Sequence, residues 1–188
     1  MRVFITGGTT GLGAALAQHY LREKHEVGIC GRDLSKITPE LGQFDSLKSY
    51  KVDVTDHGEL GRAIAEFSGK EGLDLIIANA GISVGSKSRF IDFSRAYQVL
   101  NTNVQGVVAT FDFALQEMRK KGKGHLVAIS SVAGFMGLPG AASYSASKAA
   151  VTTFCESLAI DLKHENIDVT TIAPGFIKTP LTLSLIHI

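Results

Sequence analysis

The sequence predicts a doubly wound α/β domain in which helices cover both faces of a parallel sheet. Three observations lead there. Apolar runs alternate with amphipathic stretches along the chain, the pattern of repeated strand–helix units. The first run, VFIT at residues 3–6, passes directly into a glycine-rich turn and a helical stretch. The fourth, LDLIIANA at residues 73–80, is apolar on both faces, as a strand buried in a parallel sheet has to be. A chain of 188 residues, 45% hydrophobic and 20% charged, fits one such domain with a sizeable core.

After the first strand, Leu12, Leu16 and Tyr20 recur at helical spacing and predict the helix face that packs on the sheet. HEVGIC at residues 25–30 reads as strand two, and SLKSYKVDV at residues 46–54 contains strand three. Asp56 followed by Glu59 has capping-box spacing and opens a helix carrying Leu60, Ile64 and Phe67 on one side. A long helical region then places Val104, Val107, Val108, Phe111, Leu115 and Met118 on one face and stops at the basic, glycine-containing RKKGKG. HLVAIS at residues 125–130 is strand five. The segment around Tyr144 begins the last long helix, and IDVTTIAP at residues 167–174 is strand six. No repeat, low-complexity segment or linker interrupts this order.

Composition narrows the function. Lys and Arg total 19 against 18 Asp and Glu, so no net field draws the chain to nucleic acid or an anionic membrane. No apolar run is long enough to span a bilayer. MRVFITGG enters a strand at once and leaves no room for a signal peptide. The two cysteines, Cys30 and Cys155, are too few for a disulfide framework, and the six histidines are scattered, so the expectation is a cytoplasmic protein without a metal site.

TGGTTGLG at residues 6–13 joins the first strand to the first helix, the turn that faces the ligand crevice in such sheets. Glycines let the backbone approach a pyrophosphate, and helix N–H groups stabilise its charge. Gly7, Gly11 and Gly13 give G-x-x-x-G-x-G rather than the general G-x-G-x-x-G fingerprint. The second strand ends in CGRD. Asp33 is at the distance of a ribose-binding acid, but the residue following the strand-end Gly31 is Arg32, whose guanidinium can grip a 2′-phosphate. Asp33 then serves as a helix N-cap, and Lys36 adds charge or is simply exposed. The expectation is NADP over NAD.

YSASK at residues 144–148 sets Tyr144 and Lys148 one helical turn apart among small residues. Spacing alone leaves two readings open, a solvated helix surface or a phenol whose proton affinity a nearby ammonium lowers. The Ser130–Ser131 pair could simply end a strand, Asn103 could be a helix N-cap, and Thr179 could cap a helix.

Taken together, these motifs resemble the classical short-chain dehydrogenase/reductase family, a Rossmann-like fold, over nearly the whole chain. TGGTTGLG is similar to the family's cofactor loop, bringing in Gly7, Thr10, Gly11, Leu12 and Gly13; Asp53–Val54 resembles the pair that contacts the adenine. Asn79, Ala80 and Gly81 match the motif ending strand four, and Pro174, Gly175, Ile177 and Thr179 the loop that closes on the nicotinamide. Asn103, Ser131, Tyr144 and Lys148 match the family's catalytic residues. The resemblance implies that Tyr144 exchanges a proton with an alcohol or carbonyl oxygen while Ser131 holds that oxygen. Lys148 would bind the nicotinamide ribose and favour phenolate, and Asn103 would anchor a water relay. It also implies a small alcohol or ketone substrate and a homo-oligomer formed through two long helices.

Two other readings compete. Nucleotide-sugar epimerases and dehydratases share a Tyr–Lys pair but show G-x-x-G-x-x-G and a larger C-terminal domain; non-catalytic dinucleotide sensors lack members of the Tyr–Lys–Ser set. Phe135 and Met136, after strand five, either wall an apolar substrate pocket or pack in the core. Finally, LSLIHI at residues 183–188 has neither a helix cap nor bounding turns, and it is the translation of a transposase end used in sequencing adapters. The expectation is a domain at residues 1–182, short of the family's lid and last strand, with a non-native tail.

Overall fold

The computed structural model describes residues 1–83 and 92–177. Its strands are β1 (Arg2–Thr6), β2 (Glu26–Gly31), β3 (Leu47–Lys51), β4 (Leu75–Ala78), β5 (Gly124–Ile129) and β6 (Ile167–Ile172). All pair in parallel, in the order β3-β2-β1-β4-β5-β6. The helices are α1 (Gly11–Arg22), α2 (Pro39–Gly42), α3 (His57–Ser68), α4 (Phe93–Leu100), α5 (Gly106–Lys121) and α6 (Ala142–Asp161). The strand order reverses between β1 and β4, which opens a crevice at their C-terminal ends.

Alternation within β1 shows how both faces are buried. Val3 and Ile5 join Ala17, Leu21, Ile29 and Val127 on one side, whereas Phe4 joins Phe67, Phe111, Met118 and Leu126 on the other. The helix ends follow their local chemistry. Asp56 accepts from the Glu59 backbone N–H at 3.0 Å to start α3, and α5 stops at Gly122, whose φ of 76° takes the left-handed C-cap.

Three details depart from the sequence reading. In α1 the buried residues are Gly13, Ala17 and Leu21, with Leu12, Leu16 and Tyr20 flanking them half-buried. Near its N-terminus the helix lies so close to the glycine turn that Gly13 has no room for a side chain, whereas Leu21 is buried at the far end. In α5, Val107, Phe111, Ala114 and Met118 face the core while Val108 remains 40% exposed. The capping box of α3 closes only one way, because the Glu59 carboxylate pairs with Arg62 and the Asp56 N–H donates to the Asp53 carbonyl oxygen.

Candidate functional site

The crevice at the β1/β4 switch is lined from the glycine turn, through Arg32, Asp53 and Val54, past Asn79–Ile82, to Ser131, Tyr144, Lys148, Pro174, Gly175 and Ile177. The structure therefore brings most of the expected residues to one cleft. Gly13 lies beneath the turn rather than in the lining, Asn103 backs it, and Thr179 and residues 183–188 fall outside the described residues.

The turn is shaped by close approach. Gly7 has φ 66°, and a Cβ there would stand 2.8 Å from the Ala80 Cα. A Cβ on Gly13 would overlap the Gly7 carbonyl oxygen and lie 2.6 Å from Asn79 Nδ2. Asn79 Nδ2 donates to the carbonyl oxygens of Thr6 and Gly7 at 3.0 and 3.1 Å, and buried Thr6 Oγ1 accepts from the N–H groups of Asn79 and Ala80, both at 3.1 Å. Asn79 thus holds the turn as well as facing the cleft. At the start of α1, the Thr10 side chain makes no capping bond, so no hydroxyl occupies the first-turn N–H groups that an anion would use. This cradle, open exactly where added Cβ atoms would close it, fits a dinucleotide pyrophosphate.

At the far end of β2, Asp33 is engaged by its own loop. Its Oδ1 accepts from Ser35 N at 3.0 Å and Ser35 Oγ at 2.6 Å, and Lys36 Nζ lies 3.6 Å from Oδ2. The Ser35 bonds, with Lys36 behind them, hold the carboxyl below its usual range. Arg32 is exposed, lines the cleft, and takes part in no ion pair among the described residues. Asp53 likewise closes an Asx turn on Thr55, at 3.0 Å to N and 2.8 Å to Oγ1.

The other end of the cleft is organised around Lys148. Its Nζ donates to the Ile129 carbonyl oxygen at 2.7 Å and lies 5.7 Å from the Tyr144 ring centroid. Burial lowers its pKa to about 8. Burial also pushes the Tyr144 phenol up, against a smaller downward pull from its hydrogen bond with the Ser131 side chain. In the chain alone, then, desolvation outweighs any help that Lys148 gives to phenolate. Ser131 caps the Val132–Gly134 turn, its Oγ accepting from Ala133 N at 3.1 Å. Asn103 is no helix N-cap; it is fully buried within a π-helical turn, Asn101–Gln105, that joins α4 to α5.

Several supporting residues were invisible to motif reading. The Ser130 and Thr152 hydroxyls each lie 3.0 Å from the Lys148 carbonyl oxygen and 2.8 Å from each other, so with one proton apiece they make two of these three bonds at a time. Gly134 packs on the α6 backbone, where a Cβ would meet the Lys148 carbonyl carbon at 2.9 Å. Val132 N donates to the Pro174 carbonyl oxygen at 3.0 Å, joining the loops after β5 and β6. Phe135 and Met136 are 70% and 66% exposed, so core packing does not account for them. Both cysteines are free and buried, the Cys30 thiol pushed up by burial to about 12. Among the described residues no cluster could hold a metal ion, and no helix is long and apolar enough to cross a membrane.

Comparison with known proteins agrees with this geometry. A family model described as short chain dehydrogenase matches residues 1–187. An uncharacterized oxidoreductase of Myxococcus xanthus is 38% identical over 183 residues, which are 95% of this chain and 72% of that protein. The 3-oxoacyl-(acyl-carrier-protein) reductase MabA of Mycobacterium avium is 32% identical over 97% of this chain and 69% of its own. The solved structure of ElxO with NADP bound superposes with a TM-score of 0.90 at 30% identity, covering 98% of this chain and 77% of that one.

Proposed function

This chain belongs to the short chain dehydrogenase family, and on that premise we propose that it is an NADP-preferring oxidoreductase of small alcohols or ketones with Tyr144 as its general acid/base. The observation that carries the reading is the convergence of Ser131, Tyr144 and Lys148 on one cleft with the glycine turn. A nicotinamide cofactor would supply or accept the hydride. Gly7, Gly11 and the α1 N-terminus would hold its pyrophosphate, and Lys148 its nicotinamide ribose. Tyr144 would move the proton at the substrate oxygen, and Ser131 would hold that oxygen and stabilise the charge that develops on it. Because burial of the chain alone raises the phenol, the positive nicotinamide of the oxidised cofactor is what would bring it into range as a base.

NADP over NAD rests on Arg32 and Lys36 lining the cleft beside Asp33, whose carboxylate lines it too but is engaged by Ser35 and Lys36. Exposed Phe135 and Met136, with Phe176 at 80% on the neighbouring loop, support a carbonyl substrate bearing an apolar substituent. Exposed apolar side chains on the helices, Phe93 and Tyr97 on α4, Val108 on α5 and Ile160 on α6, support pairing with a second copy in the cytoplasm. Separate titrations of NADPH and NADH, followed by nicotinamide fluorescence, test the cofactor assignment. Tighter NADPH binding is expected; tighter NADH would return Asp33 to the ribose.

A further inference from the structure

Behind Lys148 lies a set of buried polar groups, one of which has no part in the chemistry above. Ser147 is 0% exposed. Its hydroxyl donates to the Tyr144 carbonyl oxygen at 2.7 Å and accepts from Asn103 Nδ2 at 3.0 Å. The rest of the Asn103 amide is directed at a single residue: Oδ1 accepts from Ile82 N at 2.8 Å, and Nδ2 donates to the Ile82 carbonyl oxygen at 2.9 Å. Gly81 immediately precedes Ile82, and a Cβ built on it would stand 3.3 Å from Asn103 Oδ1 and 3.7 Å from Lys148 Nζ. The open Cβ side of Gly81 therefore faces both the amide and the ammonium.

A serine inside a helix satisfies itself by bonding back to a carbonyl of the preceding turn, and alanine would favour the helix more. Ser147 makes that local bond, yet it also receives an N–H from a residue 44 positions away. Without the second bond one N–H of a fully buried amide would be orphaned, at a cost of about 1–3 kcal/mol. We propose that Ser147 is a positioning residue of the site: its hydroxyl clamps the Asn103 amide, and through it the Gly81–Ile82 backbone, against the ammonium of Lys148. Its bearing on the reaction rests on the function proposed above.

The groups around Lys148 make the effect readable. The Ile129 carbonyl faces it from β5, Gly81, with the Asn103 amide on the same side, from the loop after β4, and Tyr144 from its own helix. Tyr144 is the titratable group among these. Burial is the sole cause of the lowered Lys148 pKa, so loosening the cover admits water and raises it.

The test is the Lys148 titration midpoint in the full chain labelled with 13C-lysine. The Lys148 13Cε resonance is identified by its loss in Lys148→Met. Ser147→Ala is expected to raise the midpoint by about one pH unit toward that of an ordinary lysine. An unchanged midpoint, whatever happens to thermal stability, overturns the proposal. Should Ser147→Ala not fold, Ser147→Cys keeps the volume with weaker bonds, and the same criterion applies to it with a smaller rise. This readout needs no substrate. NADPH-dependent reduction of ethyl acetoacetate by the wild-type and Tyr144→Phe chains separates the two ideas. Turnover that survives Tyr144→Phe refutes the proposed function, whereas an unmoved midpoint refutes the role of Ser147 alone.

Discussion

Replacing Lys148 by methionine is expected to stabilise the chain at neutral pH while abolishing turnover. Lys148 is 4% exposed and has no carboxylate partner among the ion pairs of the described residues, so folding must strip its ammonium of water. Lowering its pKa from 10.5 to about 8 corresponds to about 3 kcal/mol of cost for folding the charged form. Methionine removes that cost but leaves the Ile129 carbonyl oxygen without the Lys148 donor, which returns about 1 kcal/mol. The net gain at pH 7 is about 2 kcal/mol. Between about pH 8 and 10.5 the unfolded chain still binds the lysine proton and the folded chain does not, so wild-type stability rises with pH through this window. The advantage of Lys148→Met therefore shrinks from neutral pH to about pH 10. Urea unfolding of both chains at the two pH values measures it, and the difference between chains cancels the other titrating groups. An advantage that is the same at both pH values would refute the argument, because a packing effect carries no such dependence.

Gly13→Ala drives a Cβ into the Gly7 carbonyl oxygen, a backbone contact that cannot yield cheaply, so a loss of about 2 kcal/mol in urea unfolding is expected together with weakened NADPH binding. Arg32→Ala is expected to weaken NADPH binding about tenfold and to leave NADH binding nearly unchanged in the fluorescence titration. Asp74 accepts from Lys121 Nζ at 2.6 Å and Arg2 N at 2.8 Å; burial raises its pKa, but these bonds outweigh it and the net shift is downward. Asp74→Asn is therefore expected to destabilise the chain by about 1–2 kcal/mol at pH 7. That difference should fade as pH falls from 3.8 through the lowered folded value, which acid unfolding of the two chains would show.

What was legible in the sequence is what physics writes locally. Strand identity follows from apolar runs, helix starts from Asp33 and Asp56, and the cofactor turn from three glycines within one turn of chain. Tyr144 and Lys148 share a helix face through spacing alone. The supporting groups have no local signature. Thr6 reaches Asn79 across 73 residues, Ser130 reaches Lys148 across 18, and Ser147 reaches Asn103 across 44. A lone serine or threonine fits equally well as a helix surface or a strand end until the sheet order sets its neighbour. Leu12, Leu16 and Tyr20 do pack against the core, but the centre of the α1 face lies one residue over, for a related reason. Periodicity ranks large apolar residues first, whereas the contact line was set by how near the helix must come to bring its N-terminus to the crevice, which selects Gly13 and Ala17.

A close approach of another helix, α6, accompanies the placement of Lys148. Its side chain runs from α6 to the end of β5 at the wall of the cleft, and the elements around it give up bulk or lend a polar atom. Gly134 lets the loop after β5 lie on the α6 backbone, Ser130 and Thr152 grip the Lys148 carbonyl, and Ile129 supplies the acceptor for Nζ. Every one of these contacts holds the lysine in a position where its charge is costly. A site selected for stability alone would hold an apolar residue there; one that needs an ammonium about 6 Å from the ring of a half-buried phenol has to carry that cost in its fold. The Lys148→Met comparison therefore bears on function as well as stability: a variant that is more stable and inactive is the outcome that a working Tyr144–Lys148 pair requires.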